Sequence, residues 1–497
     1  MVFKNRYLHL GEDFYQRIAP EPVAQPELII FNHGLAGEFA GSLREMDEQT
    51  LAQLFSGNQL HESCVPLAMA YAGHQFGQFN PALGDGRAIY LGEVTCLAGG
   101  SLDVQLKGSG PTRFSRGGDG RSALGPVLRE YLLSEAMHKL GVPTTRALAA
   151  VTTGEQVARE QFVPGAVITR VASSFIRVGS FQYFAAQQDI GLIQNLADYV
   201  IERNYPELSP QENIYLAFFR AAVRRQAELI ARWMCLGFIH GVMNTDNMSV
   251  AGETIDYGPC AFMDFFRYDQ TYSFIDKRGR YAYQQQPAIG LWNLTRLAEA
   301  LLPLFDEDVD IAVEQATSVL ETYTPAYEAA WLSGMRAKLG LTAIRDDEQD
   351  KSLADALLDV MAESRADFTL CFHALSQLDR QADDKDQALR ALFSKSDAPD
   401  SPHTIEGWLK RWRLRLELES ETDLDRQARM RAANPMYIPR NHQVEAVIRA
   451  AEDHHNFEPF HALHEVLQKP FDYQKGKDAY LQPPKPEEEI KNTFCGT

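Results

Sequence analysis

Two short apolar runs give the earliest clear pattern in the chain. AIYLGEV (Ala88 to Val94) and LDVQLKG (Leu102 to Gly108) predict strands, and the Gly-containing turn between them makes the pair a hairpin. RALAAVTTG and AVITRVAS, further on, are β-rich as well. Between these pairs, PVLREYLLSEAMHKLG spaces its apolar residues at helical period, with Pro126 near the start and Gly141 at the end. From about Asp189 the period turns helical, and NIYLAFFRAAVRRQAELIARWMCLG predicts one long amphipathic helix. Beyond about Leu291 nearly everything reads as helix, broken by the polar connectors RDDEQDKS and SKSDAPDSPHT. The pattern predicts an α+β chain in four parts. An N-terminal extension over residues 1–80 packs on the lobes, a β-rich lobe covers 81–185, a helical lobe covers 186–345, and a helical C-terminal extension covers 346–497.

Composition narrows the function. The 497 residues carry a formal charge of −19, so neither a nucleic-acid backbone nor an anionic membrane is an expected partner. No window approaches about 18 uninterrupted apolar residues, and the first residues have no apolar signal core, so the expected location is the cytoplasm. Six dispersed cysteines without a Cys-x-x-Cys pair fit a reducing compartment, and Cys495 stands alone near the terminus in NTFCGT. An anionic substrate of so acidic a chain needs a locally basic pocket.

Such an island exists. From Lys107 to Arg129 the cations are Lys107, Arg113, Arg116, Arg121 and Arg129, against the single acid Asp119. Glycines, Gly120 among them, are interleaved with these cations and let backbone N–H groups approach phosphate oxygens. Lys107 ends a predicted strand and Glu130 lies near the start of the next helix, an arrangement that holds an ammonium against nucleotide phosphates. LGDGRA adds Gly84, Gly86 and Arg87 before a strand, as either a second clamp or a plain turn. Arg170 and Arg177 sit among apolar residues and need anionic partners, either phosphate or carboxylate.

HGVMNTDNMS (His240 to Ser249) followed by IDYGP (Ile255 to Pro259) is like the catalytic loop and metal turn of protein kinases, with Val242 where a kinase keeps its catalytic Asp. Asn247 and Asp256 are hard oxygen donors suited to Mg²⁺ or Mn²⁺. Asp246 is the acid left in the loop, either as general base or as a contact to metal and water. MSVAG and ETIDYG around them look strand-like.

The strings from GDGRA through QLKGSGPTRFSRGGDGRSALGPVLREYLLSEAMHKLGVPTTRAL to GVMNTDNMSVAGETIDYGPCAFMD resemble the SelO (selenoprotein O) family. The resemblance implies a protein-kinase-like bilobal fold and an enzyme that moves AMP from ATP, or UMP from UTP, onto Ser, Thr or Tyr hydroxyls of target proteins. It also implies a nucleotide held inverted relative to kinases. Lys107, Arg170 and Arg177 would grip the inward phosphates, and Glu130 would orient Lys107. Gly84, Gly86, Arg87, Asp119, Gly120 and Asp256 would complete the pocket. Asn247 and Asp256 would hold Mg²⁺ or Mn²⁺, and Asp246 would accept the proton. A redox role for Cys495 belongs to the same resemblance. The other readings are a kinase using Asp246, or a non-catalytic nucleotide-binding scaffold. The favoured oligomeric state is a monomer.

Overall fold

The structure, a computed structural model, describes residues 2–41, 43–208, 213–381, 384–393, 401 and 403–493. Cys495 lies outside them. Five strands precede the predicted hairpin: β1 (Tyr15–Arg17), β2 (Glu27–Phe31), β3 (Leu67–Met69), β4 (Gly73–Gln75) and β5 (Gln78–Asn80). The hairpin itself is β6 (Ala88–Thr95) and β7 (Ser101–Lys107), followed by β8 (Ser122–Ala123), β9 (Arg146–Ala158) and β10 (Phe162–Ala172). One antiparallel sheet runs in the order β1-β3-β6-β7-β10-β9-β2, with β8 paired to β10, while β4 and β5 form a separate hairpin. Residues 1–80 thus supply three strands of the sheet as well as packing on it.

Both faces of this sheet are buried, which is why its strands read as apolar runs rather than clean alternations. Helices α1 (His33–Ala36) and α2 (Glu48–Ser56) cover one face through Leu35, Phe55, Ile89, Val151 and Val167. Helix α3 (Leu124–Lys139) covers the other through Leu128, Leu132, Tyr90, Ala150 and Ile168. Adjacent residues such as Ile89 and Tyr90 enter opposite layers, as the strand period of two requires.

Helices α4 (Val178–Ala185) and α5 (Ile190–Asn204) lead to α6 (Ile214–Leu236). Asn213 caps the start of α6 by accepting from the Leu216 N–H, and Gly237 ends it in the left-handed region at φ 67°. The chain then forms β11 (Phe238–Ile239), which pairs with β12 (Ala261–Phe262) and closes the loop between them. MSVAG and ETIDYG lie in that loop and are not strands. Their backbone groups are spent instead on isolated contacts to the sheet-rich part: Val250 N–H donates to Ile176 O, and Thr254 N–H to Pro143 O.

The remainder is helical: α7 (Gln286–Phe305), α8 (Val309–Leu320), α9 (Tyr323–Leu339), α10 (Asp347–Ser364), α11 (Phe368–Leu375), α12 (Asp386–Arg390), α13 (Ile405–Leu416), α14 (Asp423–Ala433), α15 (Asn441–His454) and α16 (Glu458–Leu467). The architecture is α+β, sheet-rich in its N-terminal part and helical in its C-terminal part. Between α14 and α15, residues 434–440 have no regular structure yet are all buried. Among the described residues, no helix is long and apolar enough to cross a membrane.

Candidate active site

A cleft of about 650 Å³ opens between the end of β7, the loop before β6, the glycine-rich loop, α3 and the His240 loop. Every residue singled out for the site lines it: Gly84, Gly86, Arg87, Lys107, Asp119, Gly120, Glu130, Arg170, Arg177, Asp246, Asn247 and Asp256.

The glycine-rich walls are tight. Gly84 has φ 62°, and a Cβ there would lie 2.2 Å from the Phe114 ring. Gly120 has φ 65°, and a Cβ would meet the Gly110 carbonyl carbon at 2.1 Å. Only glycine serves at either position. Asp119 receives the Arg159 guanidinium at 2.8 Å, which ties the loop to the end of β9.

A compact charge cluster sits at one end. The Lys107 ammonium donates to Glu130 Oε2 at 2.7 Å and stands 3.6 Å from Asp256 Oδ1. Arg170 bridges the same two acids, with Nε on Glu130 Oε1 and Nη2 on Asp256 Oδ1, both at 2.5 Å. Arg177 Nη1 reaches Asp256 Oδ2 at 2.5 Å and the Asp246 carbonyl at 2.6 Å, with its guanidinium over the Tyr71 ring. The arginines therefore have carboxylate partners in this state.

Three cations face two carboxylates, so the cluster carries one excess positive charge. Burial pushes the Lys107 ammonium down, aided by Arg170, while Glu130 and Asp256 pull the other way. Burial raises both carboxyls, but Arg170 and its neighbours outweigh it, so Glu130 stays below the ordinary range and Asp256 well below it. Asp256 also holds φ 64°, a left-handed conformation that Asp tolerates better than most side chains.

Asp246 is 7% exposed. Its Oδ2 accepts from Gln75 Nε2 at 3.1 Å, whereas Oδ1 is buried without a partner. Burial pushes this carboxyl up to about 6, against the Gln75 hydrogen bond and the Arg177 charge. Asn247 donates its amide N–H to Val242 O at 3.0 Å, which leaves its amide oxygen as the available donor to a cation. No group of three or more His, Cys, Asp or Glu suited to a metal occurs among the described residues. Asn247, Asp256 and the orphaned Asp246 Oδ1 supply hard oxygens whose chemistry fits a divalent ion with phosphates and water as its remaining ligands, while both Asp256 oxygens are here engaged by Arg170 and Arg177.

Tyr71 and Gln75, from the first 80 residues, line the cleft but carried no sequence signal. Asp85, inside LGDGRA, is buried and pushed up to about 6, and it accepts from Met69 N–H and Gln105 Nε2. Two members of the basic island stay out of the cleft: Arg113 stacks on Phe114, and Arg129 turns toward the C-terminal helices.

Comparison with known proteins gives the family. The family model described as protein adenylyltransferase SelO matches residues 1–468. The chain is 54% identical over 495 residues to a Bradyrhizobium sp. (strain BTAi1) protein named protein nucleotidyltransferase YdiU, covering 100% of this chain and 99% of that one. A Rhizobium meliloti protein of the same name is 54% identical over 495 residues, again covering 100% and 99%. One from Rhizobium etli is 55% identical over 496 residues, covering 100% of this chain and 97% of its own.

Proposed function

Since this chain belongs to the protein adenylyltransferase SelO family and is a protein nucleotidyltransferase, we propose that it transfers AMP from ATP to Ser, Thr or Tyr hydroxyls of other proteins. The observation that carries this reading is the convergence of Lys107, Arg170 and Arg177 on Glu130 and Asp256 in the cleft that also holds Asp246. A cluster with excess positive charge suits the terminal phosphates, and a triphosphate offers Arg170 and Arg177 acceptors in place of Asp256.

Val242 in the place of a kinase's base leaves γ-phosphoryl transfer at the usual place without its proton acceptor, and the family resemblance implies attack at the α-phosphorus instead. Asp246 takes the proton of the acceptor hydroxyl. The hydroxyl oxygen bonds to that phosphorus, the bond from it to the bridging oxygen of the β-phosphate breaks, and pyrophosphate leaves on the cations. Asn247 and Asp256 hold Mg²⁺ or Mn²⁺, which when bound neutralises phosphate charge. We further propose a kinase-like arrangement of the lobes, with UTP as the alternative donor. The test uses ATP labelled separately at the α- and γ-phosphates. Protein-bound label from the α-position only is expected; label from the γ-position only rejects adenylyl transfer.

A further inference from the structure

The buried segment 434–440 poses a question of its own. Irregular chain normally runs over the surface, because buried backbone groups need partners. Here Asn434 donates to Lys338 O and Ser376 Oγ, and Arg440 enters the interior fully buried. Arg440 Nη1 binds Asp264 and, at 2.8 Å, Asp367 Oδ2. Asp264 lies eight residues after Asp256 in the chain. The next residue, Asn441, accepts from Arg129 Nη2 at 2.7 Å, and the same nitrogen donates to Cys260 O at 2.5 Å.

Arg129 is therefore a buried junction of three elements. It sits on α3 beside Glu130, it holds the carbonyl four residues beyond Asp256, and it is held by the first residue of α15. Further contacts press α15 and α16 onto the same helix. Gly125 N–H donates to Glu452 Oε1 at 2.9 Å, and the Tyr131 and Phe460 rings meet edge to face at 5.8 Å.

We propose that Arg129 and Asn441 are positioning residues for nucleotidyl transfer, through which the C-terminal extension sets the Lys107–Glu130 pair against Asp256. The inference rests on Lys107 gripping the nucleotide, as proposed above. Neither residue lines the cleft, so neither touches substrate. Their effect passes through α3 on one side and the Asp256 turn on the other.

A double-mutant cycle tests it on the full chain, reading pyrophosphate release from ATP with Mn²⁺ and a Ser/Thr/Tyr peptide mixture. Asn441→Ala is expected to lower kcat/KM for ATP about tenfold and to leave the peptide KM unchanged. Asn441→Asp, which keeps the acceptor oxygen, restores activity. In a Lys107→Ala background, Asn441→Ala is expected to cost less than about twofold, because the pair it positions is already gone. Equal costs in both backgrounds, or near-wild-type activity of Asn441→Ala, overturn the proposal. If Lys107→Ala itself costs nothing, the nucleotide reading falls with it, which separates the two failures. Should Asn441→Ala not accumulate folded, Asn441→Ser, whose oxygen is set closer to the backbone, carries the same cycle.

Discussion

At the scale of single residues, the proposed chemistry rests on carboxylates driven in opposite directions. Asp256 is held ionised by its arginines, whereas Asp246 is pushed up to about 6 by burial. A base must be ionised to accept a proton, so transfer is expected to fall about tenfold per unit as pH drops below about 6, in a pH profile taken at saturating ATP. The sign for stability is the reverse. A carboxyl raised on folding binds its proton more tightly in the native state, so its burial costs stability at neutral pH and the cost is relieved as pH falls from about 6 toward the unfolded value. Asp246→Asn is therefore expected to abolish labelling while its thermal midpoint at pH 7 equals or exceeds that of the wild type. Lys107→Ala is expected to lower kcat/KM by roughly 100- to 1000-fold. These acids and cations could be singled out in the sequence because charges among apolar neighbours are conspicuous. Gln75 and Tyr71 could not, since an uncharged polar residue far off in the chain gives no sign that it will rest on Asp246 or under Arg177.

At the scale of elements, legibility followed length and period. The β6–β7 hairpin, α3 and α6 stand where apolar spacing put them, because each carries enough repeats for the period to show. Strands of three to five residues such as β1, β2 and β3 hold too few, and they join the sheet through partners far away in sequence. The segment 434–440 has no period at all. Helix α9 shows another feature that amphipathic patterning hides. Lys338 is buried with its ammonium 4.0 Å from the Phe372 ring centre, and burial brings it down to about 8. An amine lowered on folding costs stability while the native state is charged, and the cost is relieved as pH rises from about 8 toward the unfolded value. Lys338→Met is accordingly expected to raise the thermal midpoint at pH 7, with the gain over wild type shrinking by pH 9.5. A midpoint lowered at both pH values would point to an unrecognised partner for the ammonium.

At the scale of the whole molecule, a chain of charge −19 gathers Lys107, Arg170 and Arg177 at one end of its cleft. Exposed charges are screened by salt and buried ones far less, so the nucleotide KM is expected to change less than about threefold between 50 and 300 mM salt. A steep rise in KM would place the phosphate contacts on the surface arginines instead. The C-terminal helices also press on the helix that bears Glu130. The central claim is that the triphosphate enters with its far end against Lys107, Arg170 and Arg177. The most direct measurement is an experimental structure with α,β-methylene-ATP. The γ-phosphate within hydrogen-bond distance of those three side chains, and the α-phosphorus facing Asp246, is the predicted result; a γ-phosphate facing Asp246, with the adenosine end against the three cations, would contradict it.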